Sequence, residues 1–377
     1  MSVKLDAKTV HDRLTAWLGH IKPSWQGLTV APMDVVLGSG FSAEIFFVDV
    51  DYTEEGQHHH RTLVVRRQPQ TFEVVFESDL KLQANMMAAL DARGDLPVPP
   101  WVGKEDDPSI LGAPFLVMGR VDGQAATQRP NYNLEGWLTQ RSPAERMVHF
   151  TNALTALAKL HEVDWQDGFT FLNRPDRGAP GLEQYLGYLV DWHAARGQGR
   201  KLPIVDTAMQ WVLENRPDNI DTCVLWGDPT PSNVMWRPDG SVAALIDWEL
   251  AALGPRELDL AWWLYFDDLF SRRFGVTRLE GLPTRDETVA IYEQAAGRKV
   301  GNLDYYDVVV ALRMALVAVG AFDRQVSLGN IEATNTSADN NLMTLYIAEK
   351  LGLPLPELGS DFRDFMRNLT PVEEAAD

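Results

Sequence analysis

LWGDPTPSNVMWRPDGSVAALIDWELAALGP, from Leu225 to Pro255, is the stretch on which the reading of this 377-residue chain turns. Pro229 and Pro231 lack an amide hydrogen and fix φ, so the segment after Asp228 is held as an open loop. A short apolar strand follows Asn233, Pro238-Asp239-Gly240 reverses the chain, and a second apolar strand, Val242 to Ile246, delivers Asp247 at its end. Thr222 to Leu225 reads as a further short strand leading in. Pairing across the turn sets Asn233 beside Asp247, with Asp228 on the adjoining loop.

Each of these residues has an ordinary reading on its own: a Gly-Asp-Pro run is commonly a turn, and an Asp at a strand end is commonly a cap. Together they form the set that phosphoryl transfer needs. One group accepts the attacking hydroxyl and holds it in line, and two oxygen ligands hold a Mg²⁺ that bridges phosphate oxygens. The spacing of five residues from Asp228 to Asn233 equals that of the kinase catalytic loop H-R-D-x-x-x-x-N. A metal-dependent hydrolase would want more ligands, particularly His, and the segment holds none.

The segment resembles the H-G-D-x-x-x-x-N loop and the following I-D-W/F-E motif of the aminoglycoside phosphotransferase family, which shares its fold with choline kinases and, distantly, protein kinases. The likeness continues through GPRELDLAWW (Gly254 to Trp263), ALAKLHEVDW (Ala156 to Trp165) and PFLVMGRVDG (Pro114 to Gly123), covering about residues 34 to 265. It is nearest to the branch that includes kinase-like domains fused to some acyl-CoA dehydrogenases. The resemblance implies an α+β, two-lobed protein-kinase-like fold, with a small antiparallel-sheet N-lobe and a larger, mainly helical C-lobe. It implies a kinase that moves the γ-phosphoryl of ATP (or GTP) onto a small-molecule hydroxyl, with MgATP between the lobes. In that reading Asp228 is the catalytic proton acceptor, Asn233 and Asp247 bind Mg²⁺, and Asp259 is a structural brace for the loop. Trp226 departs from the family, standing where the loop usually has histidine and so removing a hydrogen-bonding group.

Upstream, Val10, Leu14 and Leu18 mark an amphipathic helix within residues 1–22. Residues 23–117 read as the N-lobe, with five strands and one main helix. Its β-rich runs are Asp34 to Leu37, Glu44 to Val50, Thr62 to Arg66 and Pro114 to Met118, and its helix is Ser78 to Leu90. EEGQHHH reads as a polar hairpin tip, and PVPPW as an extended connection. Residues 118–123 form a Gly-bounded hinge, and 124–377 a helical C-lobe. The clearest helix start there is the capping box Ser142-Pro143-Ala144-Glu145, and that helix ends near His161, read as a structural histidine.

The amides of Gly38, Ser39 and Gly40 could close over phosphates, or simply turn a hairpin. A strand rather than a helix follows, which excludes a dinucleotide fingerprint, and no G-K-[ST] follows, which excludes a Walker loop. By resemblance Arg66 falls on the family's phosphate-gripping lysine, with Arg67 as the fallback. Gln83 stands where the partner glutamate would be, Asp79 being the alternative charge, and the base would meet hinge backbone near Met118 and Arg120. His58, His59 and His60 cannot all face one ion from a hairpin tip.

Basic residues number 34 against 53 acidic, a net charge of −19, which opposes a nucleic-acid partner. The acidic balance suits a polycation, with Asp267 and Asp268 as substrate contacts. The clusters Arg196 to Lys201 and Arg272-Arg273 suit an anionic hydroxyacyl or CoA ester equally, and a metabolic hydroxylated substrate is the reading we favour. The single cysteine, Cys223, fits a reducing compartment, so the cytoplasm is expected. The start has no signal-peptide pattern, and Val308 to Phe322, interrupted by Arg313, reads as too short to span a bilayer, so no membrane partner is expected. The rival reading is a catalytically silent nucleotide-binding regulator, which would have little need of Asp228, Asn233 and Asp247 together.

Overall fold

The computed structural model describes residues 7–32, 38–39, 44–68, 76–77, 80–197, 199–218, 221–332 and 336–358. The chain divides into two units, Met1–Asp122 and Gly123–Asp377.

In the first unit, helix α1 (Ala7–Ile21) turns Val10, Leu14, Trp17 and Leu18 to one side, and all four are buried. They share a core with Val48, Val50, Leu63, Val65 and Phe115, so α1 belongs to this unit's core. Those five come from an antiparallel sheet of six strands: β1 (Gln26–Val30), β2 (Gly38–Ser39), β3 (Glu44–Glu54), β4 (Gln57–Arg67), β5 (Trp101–Glu105) and β6 (Phe115–Gly119). Their order is β1-β3-β4-β6-β5, with the two-residue β2 paired to the start of β3. Helix α2 (Leu80–Arg93) follows β4, and the single turn α3 (Pro108–Leu111) joins β5 to β6. The expected strand at Asp34 to Leu37, together with Gly40, Ser78 and Asp79, lies outside the described residues.

The sheet has six strands where five were expected. β1 and β5 are too short, and too interrupted by Gly and Pro neighbours, to announce themselves by alternation. The hairpin tip is also smaller than expected, because only Glu55-Gly56 turns and His58, His59 and His60 lie in β4. Alternation explains this: Val48, Val50 and Tyr52 face the core while Asp49 and Asp51 face out, so a polar run opposite them is strand surface. Asp49 accepts from Thr62 Oγ1 at 2.6 Å, and Asp51 lies 3.1 Å from His60 Nδ1 and 3.5 Å from His58 Nε2. His59 stacks on Tyr52. Among the described residues no three potential metal ligands cluster.

The second unit begins its helices with α4 (Pro143–His161). The Ser142 side chain caps Glu145 N and Glu145 returns to the Ser142 backbone, with Pro143 at the first helical position. Then come α5 (Leu182–Gly197), α6 (Pro203–Glu214), the strands β7 (Cys223–Leu225), β8 (Val234–Trp236), β9 (Val242–Leu245) and β10 (Ala252–Gly254), and helices α7 (Glu257–Asp268), α8 (Arg285–Ala296), α9 (Leu303–Ser327) and α10 (Leu342–Leu351). Five residues of π-helix, Leu269–Arg273, extend α7. α9 packs against α5, α6, α7 and α10, and α4 packs on α8. At 25 residues α9 is longer than its apolar stretch suggested, and its length and composition would suffice to cross a membrane; 83% of its apolar window is buried inside the protein, as in a core helix. Ser142→Ala should cost about 1 kcal/mol of unfolding free energy, read by urea titration, because it orphans an amide of the α4 first turn.

Candidate active site

Two strand pairs frame the site. β7 pairs antiparallel with β10, and β8 with β9, Val234 opposite Leu245. The Ile246 amide donates to the Asn233 carbonyl at 2.9 Å, which continues the ladder one step and leaves Asp247 at its edge. The structure therefore brings Asp228, Asn233 and Asp247 onto one hairpin. Asn233 Nδ2 donates to Asp228 Oδ2 at 2.7 Å and also reaches the Asp228 carbonyl at 3.0 Å. With its amide nitrogen turned to Asp228, Asn233 leaves Oδ1 as the atom a cation could take. Asp247 has φ +63°, a left-handed conformation that costs a non-glycine residue about 1–3 kcal/mol and is held only where its surroundings enforce it. The indole of Trp248 supplies part of that enforcement by donating to the Leu245 carbonyl at 3.1 Å.

The loop before Asp228 hangs on one carboxylate. Asp259, in the first turn of α7 and 1% exposed, accepts from the amides of Trp226 at 2.7 Å and Gly227 at 3.0 Å. Nε2 of buried His161 lies 3.0 Å from the same carboxylate, and its Nδ1 meets the Tyr292 hydroxyl at 2.5 Å. Gly227 has φ +86°, and a Cβ there would overlap the Leu250 carbonyl, so only glycine fits. Trp226 corrects the expectation of a lost hydrogen bond, since its indole donates to the Ile246 carbonyl at 2.9 Å and ties the loop to the strand that delivers Asp247.

Two residues that the sequence reading passed over complete the site. The Trp262 indole donates to Asp228 Oδ1 at 2.6 Å. Arg313 donates to the Gly227 carbonyl at 2.6 Å and to the Tyr185 hydroxyl at 3.0 Å, with its guanidinium 3.3 Å from the centre of the Trp262 ring. A lone arginine inside an apolar helix was the signal available for Arg313; Trp262 offered none beyond its place near Asp259. Burial, and next the neighbouring Asp247, push the Asp228 carboxyl up to about 6, against the opposing pull of Arg313, Trp262 and Asn233.

Asp267 and Asp268 do not join this site. Asp267 is gripped by Arg278 Nε at 2.9 Å, and Asp268 by Arg272 and Arg273, each at 2.7 Å. At 3.6 residues per turn, they leave α7 roughly 140° and 240° around from Trp262, on the side away from Asp228. Together with Arg285, Tyr346 and Lys350 they line a separate cavity of about 690 Å³. In the Arg196 to Lys201 cluster, Arg200 forks onto Asp323 at 2.8 and 2.9 Å.

Within the first unit, Gly38 and Ser39 form β2 against Ile45 and Glu44. Arg66 is buried in β4 between Ile45 and Leu116, and Gln83 is buried on α2. Arg67 gives a guanidinium N–H to the Leu111 carbonyl. Met118 lies within β6, between Val64 and Trp101. The Arg120 amide is already committed to the Thr62 carbonyl at 2.8 Å, so that N–H is not open to a nucleotide base, and its guanidinium lies over Phe47.

The profile of the phosphotransferase enzyme family (APH) matches residues 35–296. The chain is 25% identical over 291 residues to acyl-CoA dehydrogenase family member 11 of Rattus norvegicus, covering 74% of this chain and 34% of that one. It is 26% identical over 300 residues to family member 10 of Mus musculus, covering 77% and 27%. The chain thus spans about a third of the length of these relatives. Among solved structures, a candidate aminoglycoside phosphotransferase from Ralstonia eutropha JMP134 superposes with TM-score 0.63 at 22% identity, covering 90% of this chain and 98% of that one. A thermostable mutant of aminoglycoside phosphotransferase APH(4)-Ia, in ternary complex with ADP and hygromycin B, gives 0.52 at 13% identity, covering 89% and 98%. These likenesses show the α+β, protein-kinase-like fold.

Asp259→Ala should lower unfolding free energy by about 3–5 kcal/mol, because it strands two buried amides and a histidine. Asp228→Asn should behave differently. The folded Asp228 carboxyl holds its proton more tightly than the unfolded one, so its contribution to stability is full below the ordinary carboxylate range and is lost as pH rises through about 6. Between pH 4 and 7.5 the unfolding free energy of the variant should gain about 2 kcal/mol on wild type. A pH-independent difference in urea midpoints would contradict the burial argument.

Proposed function

Because the chain belongs to the phosphotransferase enzyme family, we propose that it is a small-molecule kinase, transferring the γ-phosphoryl of ATP or GTP to a substrate hydroxyl. The observation that carries this reading is the hairpin that sets Asp228, Asn233 and a backbone-strained Asp247 together. Asn233 Oδ1 and the Asp247 carboxylate are two hard oxygen donors, which fits Mg²⁺, an ion that takes few protein ligands and fills its other positions with phosphates and water. When bound, the ion would neutralise charge on the transferring phosphoryl group. Asp228 accepts the hydroxyl hydrogen bond, aligns the oxygen and takes its proton as the bond to phosphorus forms.

For the acceptor, we favour a metabolic hydroxylated compound of the hydroxyacyl class over a polycation. The likeness to acyl-CoA dehydrogenase family members supports this, as does the arginine pairing of Asp267 and Asp268, which occupies the two carboxylates read as polycation contacts. Arg66 and Gln83 cannot form an ion pair, and this favours, as a second reading, a regulator that binds nucleotide without transfer.

The test is ADP release from MgATP and MgGTP across aminoglycosides, amino alcohols, sugars and hydroxyacyl-CoA esters. Acceptor-dependent release is expected with hydroxyacyl esters. Asp228→Ala should abolish it while calorimetric MgATP affinity stays within about threefold, and Asp247→Ala should weaken that affinity at least about tenfold. Release should also fall below pH about 6, where Asp228 becomes protonated. Equal release by wild type and Asp228→Ala would falsify the role of Asp228, and nucleotide binding with silence across the panel would favour the regulator.

A further inference from the structure

Arg313 is 3% exposed in the middle of apolar α9, and its hydrogen-bond partners are neutral: the Gly227 carbonyl and the Tyr185 hydroxyl. Its Nε is buried with no partner among the described residues. Burying a guanidinium on neutral acceptors is costly. What it touches is instructive. The planar cation lies against the face of Trp262 and its fork reaches the peptide next to Asp228.

Trp262, like Trp17 with Glu105, gives its indole N–H to a carboxylate. Trp137, Trp226, Trp236 and Trp248, in the same unit, all give their indole N–H to backbone carbonyls. The carboxylate that Trp262 meets is that of Asp228. The last torsion of an aspartate is broad and twofold, so a carboxylate held at one oxygen can rotate. With Asn233 on Oδ2 and Trp262 on Oδ1, both oxygens are fixed, and each keeps a lone pair for an incoming hydroxyl.

We propose that Trp262 and Arg313 are positioning residues for the acceptor hydroxyl. The indole N–H sets the plane of the Asp228 carboxylate, and Arg313 sets both the indole and the Gly227 peptide from which Asp228 extends. This rests on the kinase reading, in which Asp228 must align an attacking oxygen, and a displacement of about 1 Å is enough to cost about a hundredfold in rate.

Trp262→Phe keeps the ring under Arg313 and removes only the donor. With the acceptor that responds in the panel, it should lower kcat about 10–100-fold and leave KM for MgATP within about twofold. Arg313→Lys, which keeps the charge without the planar fork, should lose at least about tenfold in kcat with the same split. In an Asp228→Asn background, Trp262→Phe should cost nothing more. A second readout needs no acceptor: the ¹⁵N indole resonance of Trp262, assigned by its loss in Trp262→Phe, should move upfield and exchange faster with solvent in Asp228→Asn. Wild-type kcat in Trp262→Phe, or an indole resonance indifferent to Asp228→Asn, would overturn the proposal. A resonance that shifts in a protein that phosphorylates nothing in the panel would keep the contact and place the fault in the kinase reading.

Discussion

The carboxylate of Asp259 is the constraint on which the site depends. It is buried, where an unpaired polar group is expensive, and its two amide partners belong to the residues immediately before Asp228. Backbone amides cannot be moved by rotamer change, so pairing them fixes the loop itself. The Asp259 carboxylate also sits 3.0 Å from His161 of α4, and His161 meets Tyr292 of α8. Three helices therefore converge on one turn, and the helical bulk of the second unit is what makes the loop rigid.

The costs of this arrangement are gathered in one place. Asp247 is left-handed, Gly227 admits no side chain, Arg313 is buried with neutral hydrogen-bond partners among the described residues, and Asp228 is pushed toward neutrality. Each alone would be a defect of order 1–3 kcal/mol in a structural protein. Their convergence within one hairpin and the two helices behind it is the pattern of a site in which stability is given up for geometry.

The hairpin was legible because it is local: prolines, a Pro-Asp-Gly turn and two apolar runs decide its shape within about 30 residues. The brace at Asp259 was legible only through likeness to a known motif, since nothing in its spacing tells which amides it will meet. β1 and β5 escaped because short strands beside Gly and Pro carry no periodic signal, and the His58–His60 run was misread because polar outward positions of a strand look like a loop. Trp262 and Arg313 were illegible for a different reason. Their partners lie 34 and 86 residues away, and an indole near Asp259 or a cation in an apolar run has an ordinary packing explanation until the fold joins them.

Trp226 shows how such a site tolerates change. An imidazole and an indole differ in size, yet both can give an N–H, and here the indole spans from the loop to the Ile246 carbonyl beside Asp247. The indole is a donor only, so it can bridge to carbonyl groups without competing for the amides that Asp259 holds. The Trp226 indole therefore ties the loop to Ile246, separately from the Asp259 contacts that aim Asp228. The same logic separates the acidic character of the chain from its chemistry. Asp267 and Asp268 sit on the far side of α7 and are held by arginines, so the net charge of −19 acts through the surface as a whole.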